Sequence, residues 1–170
     1  MAERAQPLDT VATMAPRCTA VQLVALPSAV RYILRGHPTL LAPVGIAVPQ
    51  PCRATVDGER ALLWLGPDEF LLMAPDGSTP PQVATATDVS HRDTGLTVAG
   101  PRAAWALNCF CPLDLHPTSF PAGMCTRTVF GKVGILLWRT AAETFHIEVA
   151  RSLAPYVWTC LEEARREFLA

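Results

Sequence analysis

Long apolar runs are missing from this chain of 170 residues. The longest one, Leu40 to Val48, is interrupted by Pro43 and Gly45 and is too short to span a bilayer. Residues 1–17 mix charged, proline and small residues, without the apolar core of a secretory signal. We therefore expect a soluble, cytoplasmic protein whose first 17 residues form a mobile or partner-bound tail.

Positive charge is not in excess. Fourteen Lys and Arg stand against fifteen Asp and Glu, which gives a formal net charge of −1. A chain with this balance has no electrostatic field that attracts nucleic acid or anionic lipid. The composition therefore argues against nucleic-acid and membrane partners.

Motifs for cofactors and nucleophiles are absent as well. The sequence contains neither G-x-G-x-x-G nor G-x₄-G-K-[ST], the glycine-rich loops that hold nucleotide phosphates. It contains no G-x-S-x-G nucleophile elbow, and its six cysteines include no C-x-x-C pair. These absences predict a chain without catalytic residues, a cofactor or a metal of its own.

Four possible zinc ligands nevertheless lie close together in the sequence, namely Cys109, Cys111, His116 and Cys125. A structural zinc site usually begins with C-x₂₋₄-C, because that spacing lets both thiolates reach one ion. The C-x-C start seen here is uncommon. We favour small apolar residues at a helix end and in a strand over a metal-dependent enzyme.

Asp88, Ser90 and His91 are the residue types of a catalytic triad. Neighbouring residues in a strand point to opposite faces, so Ser90 and His91 cannot meet. We interpret them as turn-forming residues at a strand end. His146 lies in a later predicted strand, and we expect it to point away from the core.

The apolar content is high, at 50% hydrophobic against 17% charged residues, and leaves apolar surface for a partner. Its pattern predicts one domain over residues 18–170 made of two similar halves, about 18–80 and 82–170. Each half is predicted as strand, strand, helix, strand, strand. Trp64 and Trp138 occupy matching positions, as do Phe70 and Phe145.

The predicted fold is α+β, with mostly antiparallel sheet and packed helices. Strands are predicted at Val21–Leu26, Val30–Leu34, Ala61–Leu65, Phe70–Ala74, Ala84–Ser90, Gly95–Ala99, Cys125–Phe130, Val133–Trp138 and Thr144–Val149. Helices are predicted at Pro38–Ala47, Gly100–Phe110 and Leu153–Phe168. The last helix rests on apolar residues at helical spacing, with Ser152 as its N-cap.

Several segments resemble the gamma subunits of heterotetrameric sarcosine oxidases. They are L-W-L-G-P-D-E-F-L-L at 63–72, D-V-S-H-R at 88–92, G-P-R-A at 100–103, C-P-L-D-L at 111–115 and R-S at 151–152. The resemblance runs from about Cys18 to Phe168. The first block is also similar to the folate-binding fold of the glycine-cleavage aminomethyltransferase.

The resemblance implies a non-catalytic gamma subunit that assembles with alpha, beta and delta subunits. Such a complex oxidatively demethylates sarcosine to glycine with O₂, giving H₂O₂ and either formaldehyde or 5,10-methylenetetrahydrofolate. FAD, FMN and NAD are expected on the two large subunits and zinc on the delta subunit. The alternative is a stand-alone tetrahydrofolate-binding protein of the aminomethyltransferase-like superfamily.

A permanent subunit is expected to bury a large apolar interface. The proline-rich loop from Pro112 to Pro121 carries three apolar residues that look exposed, Leu113, Leu115 and Phe120. We therefore predict that these three residues, together with the N-terminal tail, contact the larger subunits.

Overall fold

The structure is a computed structural model that describes residues 6–13, 18–83 and 85–169. Its strands in chain order are β1 (Gln22–Ala25), β2 (Ala29–Arg35), β3 (Ala54–Asp57), β4 (Arg60–Gly66), β5 (Glu69–Pro75), β6 (Ala86–Asp88), β7 (Asp93–Ala99), β8 (Cys125–Phe130), β9 (Val133–Ala141) and β10 (Thr144–Ala150). Its helices are α1 (Asp9–Thr13), α2 (Ala103–Asn108) and α3 (Ala154–Arg165), with 3₁₀ helices at Pro38–Val44 and Arg166–Phe168.

The strands form two five-stranded antiparallel sheets with matching topology. The first sheet has the order β6-β2-β5-β4-β3, and the second has the order β1-β7-β10-β9-β8. Each half of the chain therefore supplies four strands to its own sheet and one edge strand to the other. Gln22 of β1 pairs with Ala99 of β7, whereas Tyr32 of β2 pairs with Asp88 of β6. The first strand of each half, β1 or β6, thus lies at the edge of the other half's sheet, and this exchange interlocks the two halves.

The molecule has four layers, because each sheet is covered on both faces. In β9, Ile135 and Leu137 pack into a core beneath α2 and α3, whereas Leu136 and Trp138 pack between the two sheets. This alternation follows from the period of two in a strand. The outer face of the first sheet packs on the 3₁₀ helix at Pro38–Val44.

The α+β class, the antiparallel sheets and the C-terminal helix are as predicted. Several details differ, and the helix predicted over Gly100–Phe110 is the shorter α2. The helix predicted over Pro38–Ala47 is a 3₁₀ helix that contains Pro43 and ends at Val44. The last α-helix ends at Arg165 and continues to Phe168 as a 3₁₀ turn. Its cap is Leu153 rather than Ser152, without a side-chain capping bond.

Strand β3 was missed because it is a four-residue edge strand with two half-buried and two exposed residues. Its only sequence signal is Asp57-Gly58, a dipeptide that favours a tight hairpin into β4. The strand predicted over Ala84–Ser90 is shorter than expected at β6, and residue 84 lies outside the described residues.

Part of the predicted N-terminal tail is folded onto the core. Leu8 is only 1% exposed and belongs to the core cluster beneath α2 and α3. Contact of residues 6–13 with a partner stays a prediction, and residues 1–5 and 14–17 lie outside the described residues. No helix in the described ranges is both long and apolar enough to cross a membrane.

Candidate functional site

Three ionisable side chains meet between the two sheets. Arg31 on β2 donates from Nε and Nη2 to the two carboxylate oxygens of Glu148 on β10, at 2.7 and 3.0 Å. His146 Nε2 lies 2.7 Å from Oε1 of the same carboxylate. His146 and Glu148 share a face because they are two residues apart in one strand. All three side chains are buried, and we call this group the charged centre.

The charged centre keeps Glu148 ionised. Burial alone would raise the pKa of Glu148, because an ionised carboxyl loses its hydration. The hydrogen bond and charge of His146, together with Arg31, more than offset this effect and hold the pKa of Glu148 below its usual range. Every oxygen of the carboxylate is engaged within the chain, so the centre joins the two sheets rather than presenting a reactive group.

Gly95 on β7 makes room for the charged centre. A Cβ at this position would lie 2.9 Å from Glu148 Oε1 and 3.3 Å from His146 Cε1. Contacts as close as 2.9 Å are not tolerated without movement, and the carboxylate is held by Arg31. Glycine is therefore required here by close packing, although its backbone conformation is ordinary.

A cleft of about 430 Å³ opens between the sheets beside Glu148. Its lining is apolar at Leu65, Leu71, Leu136 and Val149 and basic at Arg92 and Arg127. Both arginines are already neutralised, since Arg92 pairs with Asp93 at 3.0 Å and Arg127 pairs with Glu69. The lining residues include no cysteine, histidine or serine, and the two lining carboxylates, Asp93 and Glu148, are paired with Arg92 and Arg31.

Glu69 at the edge of this cleft is a second junction between the sheets. The hydrogen bond from Arg127 of β8 lowers the pKa of Glu69 on β5, aided by the charge of Arg35 at 3.2 Å. Both arginines are about half exposed, so each ion pair is worth about 1 kcal/mol or less. This junction therefore adds little to the free energy of unfolding, and its main effect is on the relative position of the two sheets.

The four candidate zinc ligands differ in how deeply they are buried. Cys111 and Cys125 are buried, whereas Cys109 and His116 are exposed. Burial raises the pKa of Cys125 to about 12, so it is a neutral thiol whose Sγ lies 3.6 Å from the Trp64 carbonyl oxygen. Within the ranges that the structure describes, no three His, Cys, Asp or Glu side chains are grouped to hold a metal ion.

Asp88 and Ser90 form the polar turn that the sequence predicts at a strand end. Ser90 Oγ donates to Asp88 Oδ1 at 2.6 Å, and the Ser90 amide donates to the same oxygen at 2.9 Å. These hydrogen bonds lower the pKa of Asp88. Ser90 Oγ also accepts from the Arg31 amide at 2.9 Å, so the turn fixes the backbone at the charged centre.

The prediction that His146 points away from the core is wrong. Alternation correctly places it opposite Phe145, but that opposite face packs on the other sheet instead of facing solvent. The sequence carried one signal for this burial. Arg31 and Glu148 each lie within a predicted apolar strand, which is typical of charges that are paired inside a protein.

The predicted exposure of Leu115 and Phe120 is also wrong. They are 1% and 2% exposed and belong to the core beneath α2 and α3, while Leu113 is half-buried. The reason is the buried guanidinium of Arg139, whose Nη1 donates to the Leu115 and Phe120 carbonyl oxygens at 3.1 and 2.8 Å. These bonds fold the proline-rich loop back onto the second sheet. A partner contact through Leu113 stays a prediction.

Comparison with known proteins identifies the family. The model of the sarcosine oxidase, gamma subunit family matches residues 81–167, just over half of the chain. Sarcosine oxidase subunit gamma of Corynebacterium sp. (strain P-1) is 34% identical over 148 residues, covering 78% of this chain and 71% of the relative. This chain belongs to the sarcosine oxidase gamma subunit family.

Other members of the gamma subunit family are similar to this chain to a comparable degree. The chain is 35% identical over 126 residues to sarcosine oxidase subunit gamma of Arthrobacter sp., covering 66% of this chain and 61% of the relative. A chain in the structure of heterotetrameric sarcosine oxidase from Corynebacterium sp. U-96, in complex with pyrrole 2-carboxylate, matches with a TM-score of 0.85 at 30% identity. The match covers 98% of this chain and 97% of that chain.

The gamma family fold also resembles a larger enzyme. Glycine cleavage system aminomethyltransferase T from Bartonella henselae matches with a TM-score of 0.60 at 15% identity, covering 89% of this chain and 46% of that chain. Identity this low indicates a shared fold only. The distant likeness predicted from the sequence is therefore confirmed at the level of the fold.

Proposed function

We propose that this chain is the gamma subunit of a heterotetrameric sarcosine oxidase, with a role in the assembly and stability of the complex. One observation carries the proposal, the structural match that covers nearly all of this chain and nearly all of a chain of the Corynebacterium heterotetramer. Because the match covers nearly all of both chains, neither chain has a large element that the other lacks.

The geometry of the chain supports a structural role within such a complex. The ionisable groups of the charged centre are bonded to one another, and the arginines beside the cleft are paired with carboxylates. Cys125 stays a protonated thiol because of its burial. The groups named here are thus occupied by interactions within the chain or kept neutral by burial.

The proposed complex contains alpha, beta and delta subunits beside this chain and acts in the cytoplasm in sarcosine catabolism. It oxidises sarcosine to glycine with O₂ and releases H₂O₂ together with formaldehyde, or 5,10-methylenetetrahydrofolate when tetrahydrofolate is present. FAD, FMN and NAD are proposed on the two large subunits and zinc on the delta subunit. The sequence resemblance to the family supports these assignments.

Purification from the native host tests the proposal. A tagged copy of this chain should recover two large flavin-bearing chains and one small zinc-bearing chain in equal amounts, with sarcosine-dependent H₂O₂ formation. Deleting the gene for this chain should lower the recovery of active complex from a host that still makes the other three. Recovery of the tagged chain alone, with full oxidase activity elsewhere in the extract, would refute the proposal.

The alternative of a stand-alone tetrahydrofolate-binding protein has weaker support. It depends on the likeness to the aminomethyltransferase, of which this chain covers 46% at 15% identity. Calorimetric titration of the isolated chain with tetrahydrofolate separates the two functions. Saturable heat at micromolar concentrations would favour the alternative, and no heat below millimolar concentrations would exclude it.

A further inference from the structure

Two large aromatic side chains are exposed on the helical side of the second sheet. Trp105 on α2 and Tyr156 on α3 are each 42% exposed. Tryptophan and tyrosine are the residues that most often dominate the binding energy of protein interfaces, because their rigid rings bury a large area at little entropic cost. Their exposure on neighbouring helices therefore marks a candidate contact surface.

The two rings are linked along α3 and the 3₁₀ turn that follows it, because Tyr156 and Phe168 lie on one row at steps of four residues, with the partly buried Cys160 and Ala164 between them. Trp105 packs edge-to-face against Phe168 with ring centroids 5.2 Å apart, and the exposed Cys109 Sγ lies 3.6 Å from the Trp105 carbonyl oxygen. Tyr156 stands over the turn between β8 and β9, where a Cβ at Gly131 would lie 2.8 Å from its hydroxyl. We call Trp105, Cys109, Tyr156 and Phe168 the aromatic face.

The aromatic face is held in place before any partner arrives. Phe168 packs on the core beneath α2 and α3, and Tyr156 contacts the Lys132 backbone and the Cys160 thiol. Side chains that are already fixed lose little conformational entropy on binding, so more of their contact energy contributes to affinity. The face is thus preorganised for a rigid partner surface.

One negative charge borders the aromatic face. Glu167 lies near Cys109, where burial and this carboxylate together raise the pKa of the thiol and keep it neutral. The neighbouring Glu163 already pairs with Arg166 at 2.9 Å, whereas no basic side chain among the described residues forms an ion pair with Glu167. A partner that covers the face is therefore favoured if it brings a cation to Glu167.

We propose that the aromatic face docks onto a larger subunit of the sarcosine oxidase complex, against an apolar surface that presents a lysine or arginine to Glu167. This inference rests on the proposed function. A second copy of the chain fits less well, because a two-fold contact would bring the same face against itself and place two Glu167 carboxylates together. A larger subunit, unlike a second copy, need not place a carboxylate opposite Glu167.

Co-expression of all subunits with a tagged copy of this chain tests the contact. The double variant Trp105→Ser/Tyr156→Ser should recover at least about tenfold less of the larger subunits than the wild-type chain. The matched control is Val24→Ser/Val56→Ser, which removes two apolar side chains that are 50% and 56% exposed on edge strands. Control recovery should equal that of the wild type.

Charge reversal provides a second variant that leaves the packing of the rings intact. Glu167→Lys should weaken recovery of the larger subunits, whereas reversal of the exposed Glu59 on the turn before β4 should not. If the wild-type chain recovers no larger subunit, the proposed function fails. If the wild type recovers them and both aromatic-face variants do so equally, the docking inference fails while the proposed function stands.

A measurement on the wild-type complex avoids any question of variant folding. Hydroxyl-radical footprinting should find Trp105 and Tyr156 protected in the intact complex, after correction for intrinsic reactivity. Leu40, 56% exposed on the outer side of the first sheet, is the comparison within the same chain. Oxidation of Trp105 and Tyr156 at the level expected for free side chains would overturn the inference.

Discussion

One buried ion pair fixes how the two sheets pack against each other. Arg31 reaches from one sheet to Glu148 on the other in a bidentate pair, which fixes both the distance and the angle between the groups. A buried pair of this kind adds little net stability compared with apolar residues of the same size. Its contribution is geometric, because a shifted strand would leave one of the two charges buried alone.

Glu148→Gln should therefore be strongly destabilising. The substitution preserves size but leaves the Arg31 guanidinium buried without a counter-charge, which costs about 3–5 kcal/mol in the free energy of unfolding. Urea unfolding followed by fluorescence measures the loss. Glu143→Gln at an exposed turn position is the control and should change stability by less than about 0.5 kcal/mol. An equal effect of the two substitutions would contradict the role of the pair.

The ionisation of the Glu148 carboxylate should also make the free energy of unfolding depend on pH. Because the folded state lowers the pKa of Glu148, its ionised form stabilises the fold above the ordinary glutamate pKa of about 4.3. That stabilisation is lost as the pH falls through the lower pKa of the folded state. The difference in unfolding free energy between wild type and E148Q should be full at neutral pH and shrink below about pH 4.3. A difference that stays constant to pH 3 would contradict this assignment.

Two glycines of similar backbone conformation should respond differently to alanine. Gly95→Ala brings a Cβ within 2.9 Å of Glu148 Oε1 and should cost about 1–3 kcal/mol of stability through overpacking. Gly134→Ala on β9 meets no atom within 4 Å and should be neutral or slightly stabilising. Thermal unfolding of both variants checks the prediction, which fails if the two midpoints shift alike.

Periodicity is informative for strands and helices but does not reveal what covers them. It located the long strands because their apolar residues recur at regular spacing. It could not show that the polar face of β10 packs on a second sheet, so His146 was misplaced. It could not show either that Arg139 draws the proline-rich loop inward, since the loop is held by carbonyl groups that every sequence shares. Tertiary contacts decided both cases.

The proline-rich loop offers a direct test of this difference. Leu115→Asp/Phe120→Asp should unfold the chain, because each substitution buries an unpaired carboxylate at a cost of several kcal/mol, against a typical total stability of about 5–15 kcal/mol. Leu113→Asp, at a half-buried position in the same loop, should leave the circular dichroism spectrum unchanged. A soluble, natively folded double variant would show that the loop is held by its backbone alone.

At the scale of the whole molecule, the exchange of first strands couples the two halves. Sequence repetition indicated the duplication, but the pattern within a strand does not say which sheet the strand joins. The family resemblance and the fold class were both predictable from the sequence, whereas the interlocking of the sheets was not. The hydrogen bonds of β1 run to β7 and those of β2 run to β6, so neither sheet is complete without the other half.

Separate expression of the halves tests this coupling. Fragments 1–83 and 84–170 should each lack near-ultraviolet circular dichroism, since each loses an edge strand and the partner sheet that buries its inner face. Mixing the two fragments should restore the spectrum of the intact chain. A native-like spectrum from either fragment alone would show that the exchanged strand is dispensable.

The exchanged strands also set an order of events during synthesis. When the first half has left the ribosome, β2 still lacks the neighbour that β6 provides, and β1 has to wait for β7, about seventy residues later in the chain. An unpaired strand edge in this interval invites pairing with other nascent chains. We therefore expect aggregation of this chain to increase when translation proceeds slowly from the first half into the second.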